Sequence, residues 1–125
     1  MADRNPASDP AKAWDGQLVT RWLDARIDAA AREQAAADRR GYGAEDDYDK
    51  AAAEEWVCRN LRKAANEGDQ AAFAERIKQL LARDDYPVTG AHDDRRVERN
   101  VRATLRKIAK MTKANEGFEN TLRYQ

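Results

Sequence analysis

The sequence predicts an all-α fold of about four helices, set as an antiparallel bundle or a compact helical array with a long first helix. Three observations predict it. Apolar residues recur at three- and four-residue steps over four long stretches, the period of a helix and not of a strand. Acidic caps, glycines and one proline punctuate those stretches and mark where each helix starts and stops. Charged residues make up 37% of the 125 positions, yet 23 basic and 23 acidic side chains cancel to zero net charge. A low content of large apolar residues with so many charged ones approaches the disordered class, and the zero net charge with the four periodic stretches pulls the chain back toward a helical fold.

The first helix has two candidate starts. Asp9-Pro10 offers a cap followed by a proline at the first helical position. Asp15 offers a second, with Trp14 before it and Val19 after it as a hydrophobic staple, because Gly16 weakens any helix running through it. Trp14, Leu18 and Trp22 form one row and Val19, Leu23 and Ile27 an adjacent one. Beyond Ile27 the face continues as alanine (Ala30, Ala31, Ala35, Ala37) until Gly41-Tyr42-Gly43 ends the element. A second helix opens on the acidic stretch Glu45-Asp46-Asp47-Tyr48-Asp49, where negative charge suits the amide dipoles of a first turn, and runs to about Asn66. Tyr48, Ala52, Trp56 and Ala53, Val57, Leu61, Ala64 mark its buried side. Glu67-Gly68-Asp69 stops it and caps a third helix, Gln70 to Arg83, with Phe73, Ile77, Leu80 and Leu81 as its core row. Asp84 to His92 reads as a loop, since Pro87 forbids helical continuation. The fourth helix runs from about Arg95 to Ala114, capped by Asp93 or Asp94 and closed by Asn115-Glu116-Gly117.

The expected organisation is a flexible tail over residues 1–8, one helical domain over 9–117 and a short tail over 118–125. Phe118, Leu122 and Tyr124 of that last tail are placed to pack back. The core is thin. Alanine supplies 25 residues, whereas Leu, Ile, Val and Phe together number 17. No stretch has the length of a membrane span or of a signal-peptide core, and the single cysteine, Cys58, cannot form an internal disulfide. A cytoplasmic protein without membrane contact is expected. Arginine outnumbers lysine 16 to 7, which suits a GC-rich coding sequence and so a bacterial or phage source.

Charge is distributed unevenly. Residues 95–113 carry eight basic and one acidic side chain, whereas residues 1–94 carry 14 and 20. On a helical wheel Arg95, Arg99, Arg102, Arg106, Lys110 and Lys113 fall within an arc of roughly 80° and span roughly 27 Å. Val97, Val101, Thr104, Leu105, Ile108, Met111 and Thr112 lie opposite. One face docks and the other is basic. Three uses of the basic face compete: neutralisation by the acidic run Glu45 to Glu55 within the bundle, contact with nucleic-acid phosphates, and pairing with an acidic protein partner. Zero net charge gives no long-range attraction to a polyanion, which favours the protein partner. Its surface would be acidic or built to bind nucleic acid. The reading is therefore a small non-enzymatic accessory or regulatory protein of inhibitor or adaptor type. Backbone-directed nucleic-acid binding by the same residues is the alternative.

Trp14, Trp22, Tyr48 and Trp56 read first as the inner core of the bundle, and otherwise as aromatic anchors exposed to such a partner. Homodimer formation through the first helix stays open, although its apolar positions hold no sustained heptad. No cofactor or metal is expected. Asp84, Asp85, His92, Asp93 and Asp94 collect five oxygen or nitrogen ligands without calcium-loop spacing, and His92 is the only histidine. Cys58 beside Trp56 and Val57 reads as a packed or half-exposed thiol and not as a nucleophile. Glu67-Gly68-Asp69 resembles a helix-turn-helix turn, but Gln70-Ala71-Ala72 offers few base-reading side chains, so an ordinary helical hairpin is expected.

Overall fold

Residues 14–112 are described by a computed structural model, and among them four helices and no strand occur: α1 (Gly16–Arg40), α2 (Glu45–Glu67), α3 (Gln70–Leu81) and α4 (Asp94–Thr112). The fold is all-α and its first helix is the longest, at 25 residues. Both expected tails, the Asp9-Pro10 start, Lys113 and the closing Asn115-Glu116-Gly117 lie outside the described residues.

α1 opens at the second of its two expected starts. One Asp15 carboxylate oxygen accepts from the amides of Gln17 and Leu18, each at 3.1 Å, and so satisfies two of the donors that a helix start leaves free. Gly16 has a packing role that its helix-weakening character does not suggest. A Cβ there would collide with the carbonyl oxygen of Ala65, so the missing side chain lets the start of α1 touch the end of α2. Val19, Trp22, Leu23 and Ile27 are buried, and Ala30 and Ala37 continue the face. Ala31 and Ala35 point instead to solvent, because the three- and four-residue steps from Ala30 to Ala37 pass through Gln34. The Gln34 side-chain amide donates to Glu55 at 2.6 Å, bridging to α2. Gly41 ends the helix at φ 74°, its N–H donating to the Ala37 carbonyl. That conformation disfavours any residue with a side chain.

α2 starts with Glu45, Asp46 and Asp47 in its first turn, and it buries more than one face. Ala51, Ala52, Ala53, Val57, Cys58, Leu61 and Ala65 are all buried, as is Asp49. Tyr48, Trp56 and Ala64, expected on the buried side, are only half-buried. The reason is position: α1, α3 and α4 all pack on α2, whereas α1 makes its extended contact with α2 alone. The arrangement is thus an open array and not a closed ring of four helices. α1 and α2 form an antiparallel hairpin, with Arg40 on Asp47 at one end and Arg62 on Asp24 near the other, at 3.0 and 2.6 Å. Arg26 spans the middle to Glu54 at 2.6 Å.

Asp69 caps α3 by accepting from the Ala72 amide at 2.9 Å, and Phe73, Ile77 and Leu80 are buried as the spacing predicts. α3 ends two residues before the expected Arg83. Tyr86, read only as part of a loop, is buried: its hydroxyl donates to the Leu80 carbonyl at 2.7 Å and closes the helix end. Asp93 is the residue that caps α4, accepting from the amides of Arg95 and Arg96 at 2.9 and 3.2 Å. The Arg96 amide foremost, with that of Arg95, holds the Asp93 carboxyl below the usual aspartate range against a smaller effect of burial. Val97, Val101, Leu105, Ile108 and Thr112 face inward, while Thr104 and Met111 are half-buried.

Candidate interaction surface

Five of the six basic residues on the predicted stripe fall within α4, and the structure divides them into two groups. Arg95, Arg99, Arg106 and Lys110 are exposed, and none makes an ion pair among the described residues. They span about 22 Å at the helical rise. Lys107, one residue off the stripe, shares both properties. Arg26, Arg40, Arg59, Arg62 and Arg96 pair with carboxylates, whereas Arg21, Arg32, Arg39, Lys63 and Lys78 are exposed and make no ion pair among the described residues, like the stripe residues. What sets α4 apart is that four such charges lie along one helix face.

Arg102 is the exception on the stripe. Its guanidinium donates to the Leu81 carbonyl at 2.7 Å and to the Arg83 carbonyl at 3.1 Å, lies 5.4 Å from the Tyr86 ring centre, and pairs with Glu98 at 3.2 Å. The first carbonyl is the last of α3 and the second lies two residues beyond it, where acceptors lack helical donors. Arginine's planar fork reaches two of them at once. Arg102 therefore fastens α4 to α3.

Contact with the acidic run of α2 falls to Arg96, a residue outside the predicted stripe. Arg96 meets Asp46 at 2.8 Å and Asp49 at 3.0 Å, and Asp93 at 3.7 Å. Asp49 has no solvent exposure. Besides Arg96 it accepts from the backbone amides of His92 and Asp93 at 2.8 and 3.1 Å, and it meets His92 Nδ1 at 3.1 Å. A buried carboxylate needs such a complete set of partners. In sequence Asp49 stands among the first-turn acids of α2, and only its place one turn further in, four residues before Ala53 on the apolar row, signals burial.

The four aromatic candidates are all packed against neighbours. Trp22 belongs to the core at 4% exposure. Trp14 lies on Phe73 with ring centres 5.3 Å apart, Tyr48 meets the edge of His92 at 5.3 Å, and Trp56 meets the edge of Tyr86 at 5.6 Å. Trp14, Tyr48 and Trp56 keep part of their surface open. The one fully exposed large apolar side chain among the described residues is Tyr42, at the α1–α2 turn.

Cys58 is buried, and that burial foremost, with the Glu54 charge adding to it, pushes its thiol up to about 12. A thiol raised in the folded state contributes stability below its unfolded pKa, and that contribution is lost as pH rises toward 12. At pH 8, iodoacetamide should leave native Cys58 unmodified over a time that fully labels the urea-unfolded chain, as read by mass spectrometry. Equal labelling rates would contradict the buried placement. In the acidic loop Asp93 serves as a cap and His92 turns to Asp49. Among the described residues no three His, Cys, Asp or Glu side chains converge on a point that would hold a metal, and no helix is long and apolar enough to cross a membrane.

Fold and surface together define a class: an all-α array with one helix face left basic and open. Comparison of the chain with protein-family models, curated proteins and solved structures returned no match, so function must be argued from the geometry.

Proposed function

We propose that this chain acts by binding, as a small accessory or regulatory protein of inhibitor or adaptor type, and that α4 presents its contact surface to an acidic protein partner. One observation carries the reading: Arg95, Arg99, Arg106 and Lys110 stand exposed along a single helix face without ion pairs among the described residues. Such a row steers association with an acidic surface and fixes its register, and arginine pairs carboxylates at two points. Protein is favoured over nucleic acid by the surroundings of the stripe. Asp84, Asp85, Asp93, Asp94 and Glu98 are all exposed on α4's first turns or the loop before it, where they oppose the unbroken charge of a phosphate backbone, whereas a protein surface can set its carboxylates against the arginines and away from these acids.

The test changes Arg95, Arg99 and Arg106 together to Glu and leaves Arg102, which holds α3 and α4 together. Fluorescence anisotropy would follow a labelled 16-residue oligoglutamate and a labelled DNA duplex at about 50 and 200 mM salt. The native chain is expected to bind the acidic peptide at the lower salt. The triple variant should lose at least about tenfold, or 1.4 kcal/mol, with its helical circular dichroism unchanged. No peptide binding by the native chain, or full binding by the triple variant, would defeat the reading. Tighter binding of the duplex, lost in the same variant, would replace the protein partner with nucleic acid.

A further inference from the structure

Beside the basic stripe, α4 borders a groove of about 370 Å³ that it shares with α1 and α2. Trp22 and Ile108 supply its apolar lining. Resting on the reading above, we propose that this groove receives an acidic side chain of the partner, so that α2 joins the contact surface through Lys50.

The charges in the groove do not cancel. Arg26 and Glu54 neutralise each other through two hydrogen bonds, at 2.6 and 3.2 Å. Glu33 stands at the exposed rim, 4.0 Å from Arg26. Lys50 from α2 and Lys107 from α4 then face one cavity from two helices, both exposed and both without an ion pair among the described residues. With Arg26, Lys50 and Lys107 set against Glu33 and Glu54, the lining keeps an excess positive charge that an entering carboxylate would offset.

The polar walls ask for the same occupant. Asn100 and Thr104 line the groove and are half-buried, yet neither side chain makes a hydrogen bond among the described residues. Both can donate, one through an amide and one through a hydroxyl, to a carboxylate held by the lysines. The donor set suits a carboxylate on a short flexible stem, with the stem's methylene groups against Trp22.

Continuity with the stripe indicates where that carboxylate comes from. Ala103 is exposed and lines the groove, and on the wheel it lies about 40° from Arg99 and about 60° from Arg106. A chain lying along those arginines passes over Ala103, whose single methyl leaves the mouth open. An acidic residue of that chain reaches the groove without leaving the stripe.

Two variants and one local signal separate this proposal from the reading it rests on. Lys50 lies on α2, off the stripe, and its exposure without an ion pair makes Lys50→Gln compatible with the fold. With the oligoglutamate probe, Lys50→Gln is expected to weaken binding about fivefold. In proton–nitrogen spectra of the native chain, the peptide should shift the Trp22 indole and Asn100 side-chain amide resonances. Unchanged affinity in Lys50→Gln, with binding lost in the triple arginine variant and the Trp22 and Asn100 signals still, overturns the groove and leaves the stripe standing. Full binding in both variants overturns the stripe as well. Free glutarate that moves the same two signals in the triple variant as strongly as in the native chain would make the groove a small-anion site, and the proposal would fall.

Discussion

Asp49→Ala should lower the stability of the array by about 3–5 kcal/mol, the usual loss when one member of a buried charged cluster is removed. The carboxylate has no solvent exposure and serves two backbone amides, His92 and Arg96 together. Alanine leaves those amides without an acceptor and opens space beneath the turn that starts α4. The urea midpoint should drop accordingly, with the denaturant slope retained. Asp49→Asn keeps the shape and one accepting oxygen, so it should fall between alanine and the native chain. An unchanged midpoint in Asp49→Ala would mean that this cluster does not anchor α4. The consequence for binding is direct. Arg95 lies on the turn that Asp49 holds and Arg99 on the next, so the variant should also weaken the proposed acidic-peptide complex at temperatures where it remains folded.

Phe73→Ala should cost a similar amount, about 3–5 kcal/mol, through a different cause. Phe73 is completely buried and is the largest side chain in the array to be so. It sits on α3, the shortest helix, with only Ile77 and Leu80 as fully committed neighbours along that face. The ring also supports Trp14 at the start of α1, with centres 5.3 Å apart. Its removal leaves a cavity that a core lined with alanine has few long side chains to fill. Circular dichroism should show a lower melting temperature, and tryptophan emission should move to longer wavelength as Trp14 loses its cover. A variant as stable as the native chain would show that α3 can be repacked without its ring.

Helix positions and apolar rows were legible because three- and four-residue spacing and caps are local properties. Phe73, Ile77 and Leu80 stand where that spacing puts them, and Asp15, Asp69 and Asp93 cap as their neighbours require. What escaped was the outcome of helices meeting. A wheel of α2 cannot show that three helices pack on it, so Asp49 was not recognised as buried, Cys58 was left between packed and half-exposed, and Tyr48 and Trp56 were left between core and anchor. The stripe was legible for the same local reason. Arg102 was not separable from Arg99 or Arg106, because its partners are carbonyls of α3 and the ring of Tyr86, more than a dozen residues away. Lys50 and Lys107 lie 57 positions apart in the chain, and only the packing of α4 on α2 brings them to one groove.

The central position of α2 has a consequence for how the molecule opens. α1 makes its extended contact with α2 and meets the other helices only locally, at Trp14 on Phe73 and at the groove wall, whereas α3 and α4 rest on α2 and on each other, so the array is close to two leaves on one spine. Each leaf can detach while the other stays seated, and the amides of α2 exchange with solvent only when both are gone. A ligand held by α4 and the spine adds its binding free energy to every opening that breaks the site. Opening of the α3–α4 leaf therefore becomes rarer in proportion to ligand excess. Fraying of α1 beyond Glu33, where Ala37 is the one buried apolar residue, proceeds at its own rate. Occupancy at one helix face is thus written into the exchange pattern of half the molecule.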